Sequence, residues 1–136
     1  MKTKGNCLIA IDPGREKSGL ALLRYDRKVI FHETVVMVDL LPTINILMKK
    51  YSVEVFAIGS GTGSKTMQLR LREQYPSINI KVINEYRTTD EAKKRYWREN
   101  PPRGIRRFIP RGMLVPPRPV DDLAAVIIGE KYLSGN

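Results

Sequence analysis

The segment Cys7–Leu23, CLIAIDPGREKSGLALL, limits the fold more than any other part of the chain. Five consecutive apolar residues, Cys7–Ile11, suit a strand covered on both faces. The run stops on Asp12, turns through Pro13-Gly14 and a charged triplet, and returns as a second strand, Ser18–Leu23, antiparallel to the first. Asp12 poses a chemical question. A carboxylate at the end of a central strand loses water, and a hydrogen bond, a cation or a proton must make up for it.

The remaining elements follow from changes of period. Lys28–Val36 is rich in β-branched and aromatic residues and reads as a third strand, after a turn at Tyr25–Arg27. Leu40, Leu41, Ile44, Leu47 and Met48 recur at helical spacing, and the pattern fades near Tyr51. Val53–Gly59 is a buried strand, followed by the loop SGTGS and a second helix to about Tyr75 carrying Met67, Leu69 and Leu71. Ser77–Asn84 is a further strand. Thr88–Trp97 has helical composition, with Thr88 or Thr89 as its N-cap. Asn100–Pro119 holds six of the nine prolines and reads as an irregular loop. Val120–Leu133 closes the order as a helix with an apolar stripe of Val120, Leu123, Ala124, Ile127 and Ile128.

The expected fold class is therefore α/β. A mixed five-stranded sheet would hold three antiparallel strands followed by αβ units, with the later strands parallel to the first and helices on both faces. At 136 residues the simplest organisation is a single domain, 1–136, with a basic Pro/Arg-rich loop at about 98–119.

Charge narrows the partner. Lys and Arg number 24 against 14 Asp and Glu, a net +10, and Arg87–Arg118 alone holds ten basic and three acidic residues. Such an excess favours a polyanion, nucleic acid before membrane, because no amphipathic basic helix is evident. No apolar stretch approaches the roughly 20 residues that span a bilayer. The N-terminal MKTKGN lacks a signal peptide's apolar region and cleavage site, so a cytoplasmic location is expected. Cys7 is the one cysteine, which leaves no disulfide framework or cysteine-cluster metal site; it reads as a buried thiol.

In KKRYWRENPPRGIRRFIPRG, basic residues alternate with aromatics. Arg87, Arg95, Arg98, Arg103, Arg106, Arg107 and Arg111 are candidates to track phosphates, and Trp97 to stack on a base. The alternative for Trp97 is packing of its helix onto the sheet. The loop GSGTGSK, Gly59–Lys65, lacks Walker A spacing; Lys65 with the loop amides suits a nucleic-acid phosphate, and a plain strand-to-helix turn is the alternative. His32, mid-strand, reads as a surface or packed histidine. No nucleophile–base pair supports covalent hydrolase chemistry.

The acids are more telling. Asp12 ends the first strand, Glu85 follows the fifth, and Asp121 and Asp122 open the last helix. Each has an ordinary alternative: a turn former before Pro-Gly, a surface glutamate, and charges complementing a helix dipole. All of them sit at element ends, where a sheet can gather them. Gathered carboxylates raise each other's pKa unless a positive charge lies between them. A pair of Mg²⁺ ions about 4 Å apart meets that need and can clamp a phosphodiester.

Three motifs carry a resemblance. IDPGREKSGLAL resembles the opening signature of RuvC-like and YqgF-type nucleases of the ribonuclease H superfamily, an Asp-x-Gly with a second Gly at position 19 (Asp12, Gly14, Gly19). NEYRTTDEAKKR and VDDLAAVIIGEKYL resemble the later YqgF motifs, and the ordered set spans Ile11 to Leu133. Asn84 and Tyr86 depart from the acidic residue and the arginine that flank the glutamate in that pattern. The resemblance implies a ribonuclease H-like fold and metal-binding catalytic roles for Asp12, Glu85 and Asp121, with Asp122 in reserve. It also implies two Mg²⁺ or Mn²⁺ ions and contact of Lys17 with a scissile-strand phosphate. Its substrates would be precursor 16S ribosomal RNA or four-way DNA junctions. A homodimer enters as a partner because RuvC-type resolvases act as dimers.

Two other classes share these features. The glycine loop also looks like that of YqgF-like domains in transcription accessory proteins, which points to a non-catalytic nucleic-acid-binding module. An actin-like phosphotransferase shares the Asp-x-Gly opening, but it needs two duplicated domains around ATP, more than 136 residues would hold.

Overall fold

The computed structural model describes residues 3–85, 88–101 and 120–135. The elements run β1 (Thr3–Asp12), β2 (Lys17–Arg24), β3 (Val29–Val36), α1 (Met37–Lys50), β4 (Tyr51–Gly59), α2 (Ser64–Gln74), β5 (Asn79–Ile83), α3 (Thr88–Glu99) and α4 (Asp121–Leu133). The strands form one mixed sheet in the order β3-β2-β1-β4-β5. β2 is antiparallel to both β1 and β3, while β4 pairs parallel to β1 and β5 parallel to β4. The expected α/β class and mixed five-stranded sheet are thus present.

β1 is continuously apolar because both of its faces are covered. Cys7, Ile9 and Ile11 join Leu20, Leu22, Phe56 and Ile58 in a core closed by Leu40, Ile44 and Leu47 of α1 and Met67 and Leu71 of α2. Leu8 and Ala10 join Ala21, Leu23, Val55 and Ala57 on the other face, against Ala125, Val126 and Ile128 of α4. Ala10, Ala21 and Ala57 on that second face let α4 approach closely. A Cβ on Gly129 would press on Leu23 and Ala10.

α4 departs from the expected apolar stripe. Asp122 to Gly129 are all buried, so the helix is covered on two sides rather than one. The second cover is α3, whose Ala92, Tyr96 and Trp97 pack on Val120, Leu123, Ala124 and Ile127. The order through the molecule is α1 and α2, the sheet, α4, then α3. A helix covered on two sides has no need of a polar face. Most of the expected loop at 98–119 lies outside the described residues, and α3 itself continues to Glu99. Among the described residues, no helix is long and apolar enough to cross a membrane.

Candidate functional site

The site lies at one end of the sheet, where β1, β4 and β5 finish. Asp12 is the last residue of β1. Ile11 pairs with Ile58, so the next step of the register puts Asp12 beside Gly59, and Gly59 in turn pairs with Ile83. Glu85 follows β5 by two residues. β4 ends between them on a glycine, so the two carboxylates face each other across a position with no side chain.

Two glycines make room for Glu85. A Cβ on Gly59 would overlap the Glu85 carboxylate at Oε1, and one on Gly61 would overlap it at Oε2. The backbone is held as well, since Glu85 N–H donates to Ser60 Oγ (3.3 Å) and Thr88 N–H donates to the Glu85 carbonyl (2.9 Å). From α4, Lys131 Nζ donates to the Asn84 carbonyl (3.4 Å) and to Thr88 Oγ1 (3.0 Å). Glu85 is thereby bracketed on both sides of its backbone.

Asp121 arrives from α4 over a third glycine. Gly19 pairs with Asp12 across β1 and β2, and a Cβ there would strike the Asp121 carbonyl. The first turn of α4 therefore rests directly on the strand that flanks Asp12. Asp122, one residue further, turns away from this group and is buried against His32, whose Nδ1 donates to its Oδ2 at 2.7 Å. Asp121 thus stands with Asp12, while the reserve acid is engaged elsewhere.

The electrostatics register this crowding. Asp12 is pushed up to about 8 from its ordinary 3.8. Burial is the largest cause, followed by a hydrogen bond with Glu85 and by the negative charges of Glu85 and Asp121. At neutral pH Asp12 therefore holds a proton that a divalent cation would displace. Glu85 Oε1 is buried and finds no hydrogen-bond partner among the described residues.

These features bear on the fit of Mg²⁺ or Mn²⁺. Among the described residues, no three acid, imidazole or thiol side chains already form a group that could hold a metal ion. Mg²⁺ does not need such a cage, because it is usually held by one or two carboxylates, with waters and substrate phosphates completing its octahedron. A facing carboxylate pair, a third acid close by and an unpartnered buried oxygen suit a hard cation in donor chemistry and charge.

The expected nucleic-acid contacts divide into three groups. Lys17, at the start of β2, and Lys65, in the first turn of α2, are exposed, as is Arg98 near the end of α3. Arg95 is engaged within the protein: its Nη1 donates to Glu130 Oε1 (2.7 Å) and its Nε to Glu99 Oε1 (3.4 Å). Arg87, Arg103, Arg106, Arg107 and Arg111 lie outside the described residues.

Trp97 requires a correction. It is 4% exposed in the α3–α4 core, with its ring edge-on to Tyr96 at 5.0 Å, so no base can stack on it while α3 stays packed. Its packing partner is α4, not the sheet.

Neither a protein-family model nor a curated protein matches the chain. Among solved structures, it is similar to a transcriptional regulator of the ROK family, a homologue of the E. coli MLC protein. That match has a TM-score of 0.47 and 15% identity over 68% of this chain and 31% of that one. A structure described as a sugar kinase from Cytophaga hutchinsonii matches with a TM-score of 0.45 and 15% identity, over 64% of this chain and 38% of that one. The matched part is about a third of either protein, 31% of the first and 38% of the second.

Several residues that build the site were not legible as such. Gly59 and Gly61 suggested a phosphate loop, yet they make the space that Glu85 fills. The signal was present in the glycine spacing, but only the fold shows what occupies the space. His32 and Lys131 carried no local signal at all.

Proposed function

We propose that this chain is a divalent-metal-dependent endonuclease of the ribonuclease H-like, RuvC/YqgF kind, acting on structured nucleic acid. The observation that carries the reading is the convergence of Asp12, Glu85 and Asp121 from three separate elements, where burial first and the two neighbouring acids after it hold Asp12 protonated near neutral pH. A protein gains no stability from such crowding, because each acid opposes ionisation of the next. A buried acid with its pKa raised beside two further carboxylates at the end of a sheet suits a cation-dependent site before its ion is bound. A sheet of three antiparallel strands followed by αβ units supports the reading, as does the net charge of +10.

In this reading Asp12, Glu85 and Asp121 would hold the ions, with Asp12 in its deprotonated form. Bound Mg²⁺ or Mn²⁺ would supply Lewis acidity at the phosphoryl oxygens of the substrate. Gly59 and Gly61 leave room for the Glu85 carboxylate, Ser60 holds the Glu85 backbone N–H, and Lys131 holds the Asn84 carbonyl before it. Gly19 admits the first turn of α4 and so sets the position of Asp121. Lys17, exposed at the start of β2, would meet a neighbouring phosphate. The substrate is precursor ribosomal RNA or branched DNA, and a homodimer would present two sites to two strands.

A non-catalytic nucleic-acid-binding module is the second reading, and the departures of Asn84 and Tyr86 from the nuclease pattern favour it. One experiment separates the two. Labelled junction DNA and structured RNA are incubated with the protein in Mg²⁺, in Mn²⁺ or in chelator, beside Asp12→Asn and Glu85→Gln. The nuclease reading expects cleavage that chelator and either substitution abolish. Binding without cleavage under every condition establishes the module instead.

A further inference from the structure

We infer that His32 is a positioning residue for the metal site, acting through Asp122 on Asp121; the inference rests on the nuclease reading of Asp12, Glu85 and Asp121. His32 lies on β3, two strands away from Asp12, and pairs with Ala21 of β2. Its Nδ1 donates to Asp122 Oδ2 at 2.7 Å, and the Asp122 side chain is only 7% exposed. A carboxylate so deeply buried needs bonds that hold it in one place. Asp122 is the second residue of α4, and its neighbour Asp121 is the acid that reaches the Asp12 cluster.

Apolar packing seats the first turn of α4, with Val120, Leu123 and Ala124 against α3. Among the described residues no side chain caps its N-terminus. On the sheet side, Gly19 gives contact without a polar bond, since only its missing Cβ lets the Asp121 carbonyl approach. Thr34, which pairs with Gly19 from β3, has a buried hydroxyl that bonds nothing among the described residues. His32 supplies a directional tie from that strand. Adjacent residues in the first turn of a helix move together, so the bond that seats Asp122 also sets where the Asp121 carboxylate stands. Outer residues that orient a metal ligand typically change metal affinity by about 10- to 100-fold when removed.

The test compares a variant that keeps the hydrogen-bond donor with one that removes it. His32→Asn keeps a donor near the Nδ1 position, and His32→Leu removes it. Mn²⁺ affinity is measured by electron paramagnetic resonance, and the unfolding midpoint of each variant is measured in chelator. We expect His32→Leu to weaken Mn²⁺ binding by about tenfold while still folded, and His32→Asn to stay close to wild type. Equal affinities for the two variants overturn the positioning role, as does a loss in His32→Leu explained by unfolding at the assay temperature. Equal, undiminished binding in both leaves the nuclease reading in place. Absence of Mn²⁺ binding by the wild-type protein removes that reading, and the positioning role falls with it.

Discussion

Asp12 and Glu85 face each other across Gly59, and burial, with the Glu85 carboxylate close by, holds Asp12 in its protonated form at neutral pH. Asp12 ends β1 and Glu85 follows β5, two strands that are not neighbours, with β4 between them. Their meeting depends on β4 ending in a residue that has no side chain. Three predictions concern this pair and the helix beside it, and a fourth concerns the core behind them.

The pH dependence of stability follows from the sign of the Asp12 shift. Folded Asp12 keeps its proton up to about 8, whereas the unfolded chain releases it near 3.8. Between those values the folded state binds more protons, so this group's contribution to stability falls as pH rises and is lowest above about 8. Asp12→Asn removes the penalty. In chelator, its unfolding midpoint should exceed the wild-type value by several degrees at about pH 9, with little difference at about pH 4. An equal difference at both pH values would count against the crowded-acid account.

Mg²⁺ or Mn²⁺ should reverse that ranking. An ion that binds only the folded site stabilises it by mass action, so the wild-type midpoint should climb with added metal. Asp12→Asn and Glu85→Gln should respond weakly. Thermal scans across a metal titration, with Ca²⁺ as a comparison, make the measurement. A wild-type midpoint that does not move would contradict the proposed metal site.

Substitution of the glycines should separate fold from site. Gly61→Ala places its methyl against the Glu85 carboxylate, a flexible end that can swing aside. Folding should suffer by about 1 kcal/mol or less, while Mn²⁺ binding and cleavage drop at least about tenfold. Gly19→Ala instead meets the Asp121 backbone, which cannot yield without shifting α4. That variant should lose about 1–3 kcal/mol by urea unfolding. If both variants behave alike, Gly61 has no special relation to Glu85.

Trp97, the chain's one tryptophan, offers a spectroscopic check. Buried at 4% exposure, it should emit in the blue and resist quenching by iodide, with nucleic acid bound or absent. Trp97→Ala should destabilise the protein by about 3–5 kcal/mol, as expected for an aromatic removed from a core. Strong quenching on nucleic-acid binding, with stability unchanged in the variant, would restore a stacking role.

The strand and helix order was legible because period is local. A two-sided apolar run such as Cys7–Ile11, or apolar residues at Leu40, Ile44 and Leu47, marks its own element within one or two turns of chain. The acids at element ends were legible for the same reason, since Asp12, Glu85 and Asp121 stand where those periods stop. Tertiary structure alone decided which of them meet. Sheet order placed β4 between Asp12 and Glu85, and the absence of a side chain at Gly59 let the two carboxylates face each other. Rotation about α4 turned Asp121 towards that pair and Asp122 towards His32, a choice that two adjacent aspartates in a string of letters cannot express. Trp97 shows the same limit: its basic neighbours suggested a nucleic-acid surface, while the contact with α4 that buries it joins segments far apart in the chain. Local chemistry writes the elements, but a site is made of distances between them, and those exist only once the sheet has formed and α4 has packed against it.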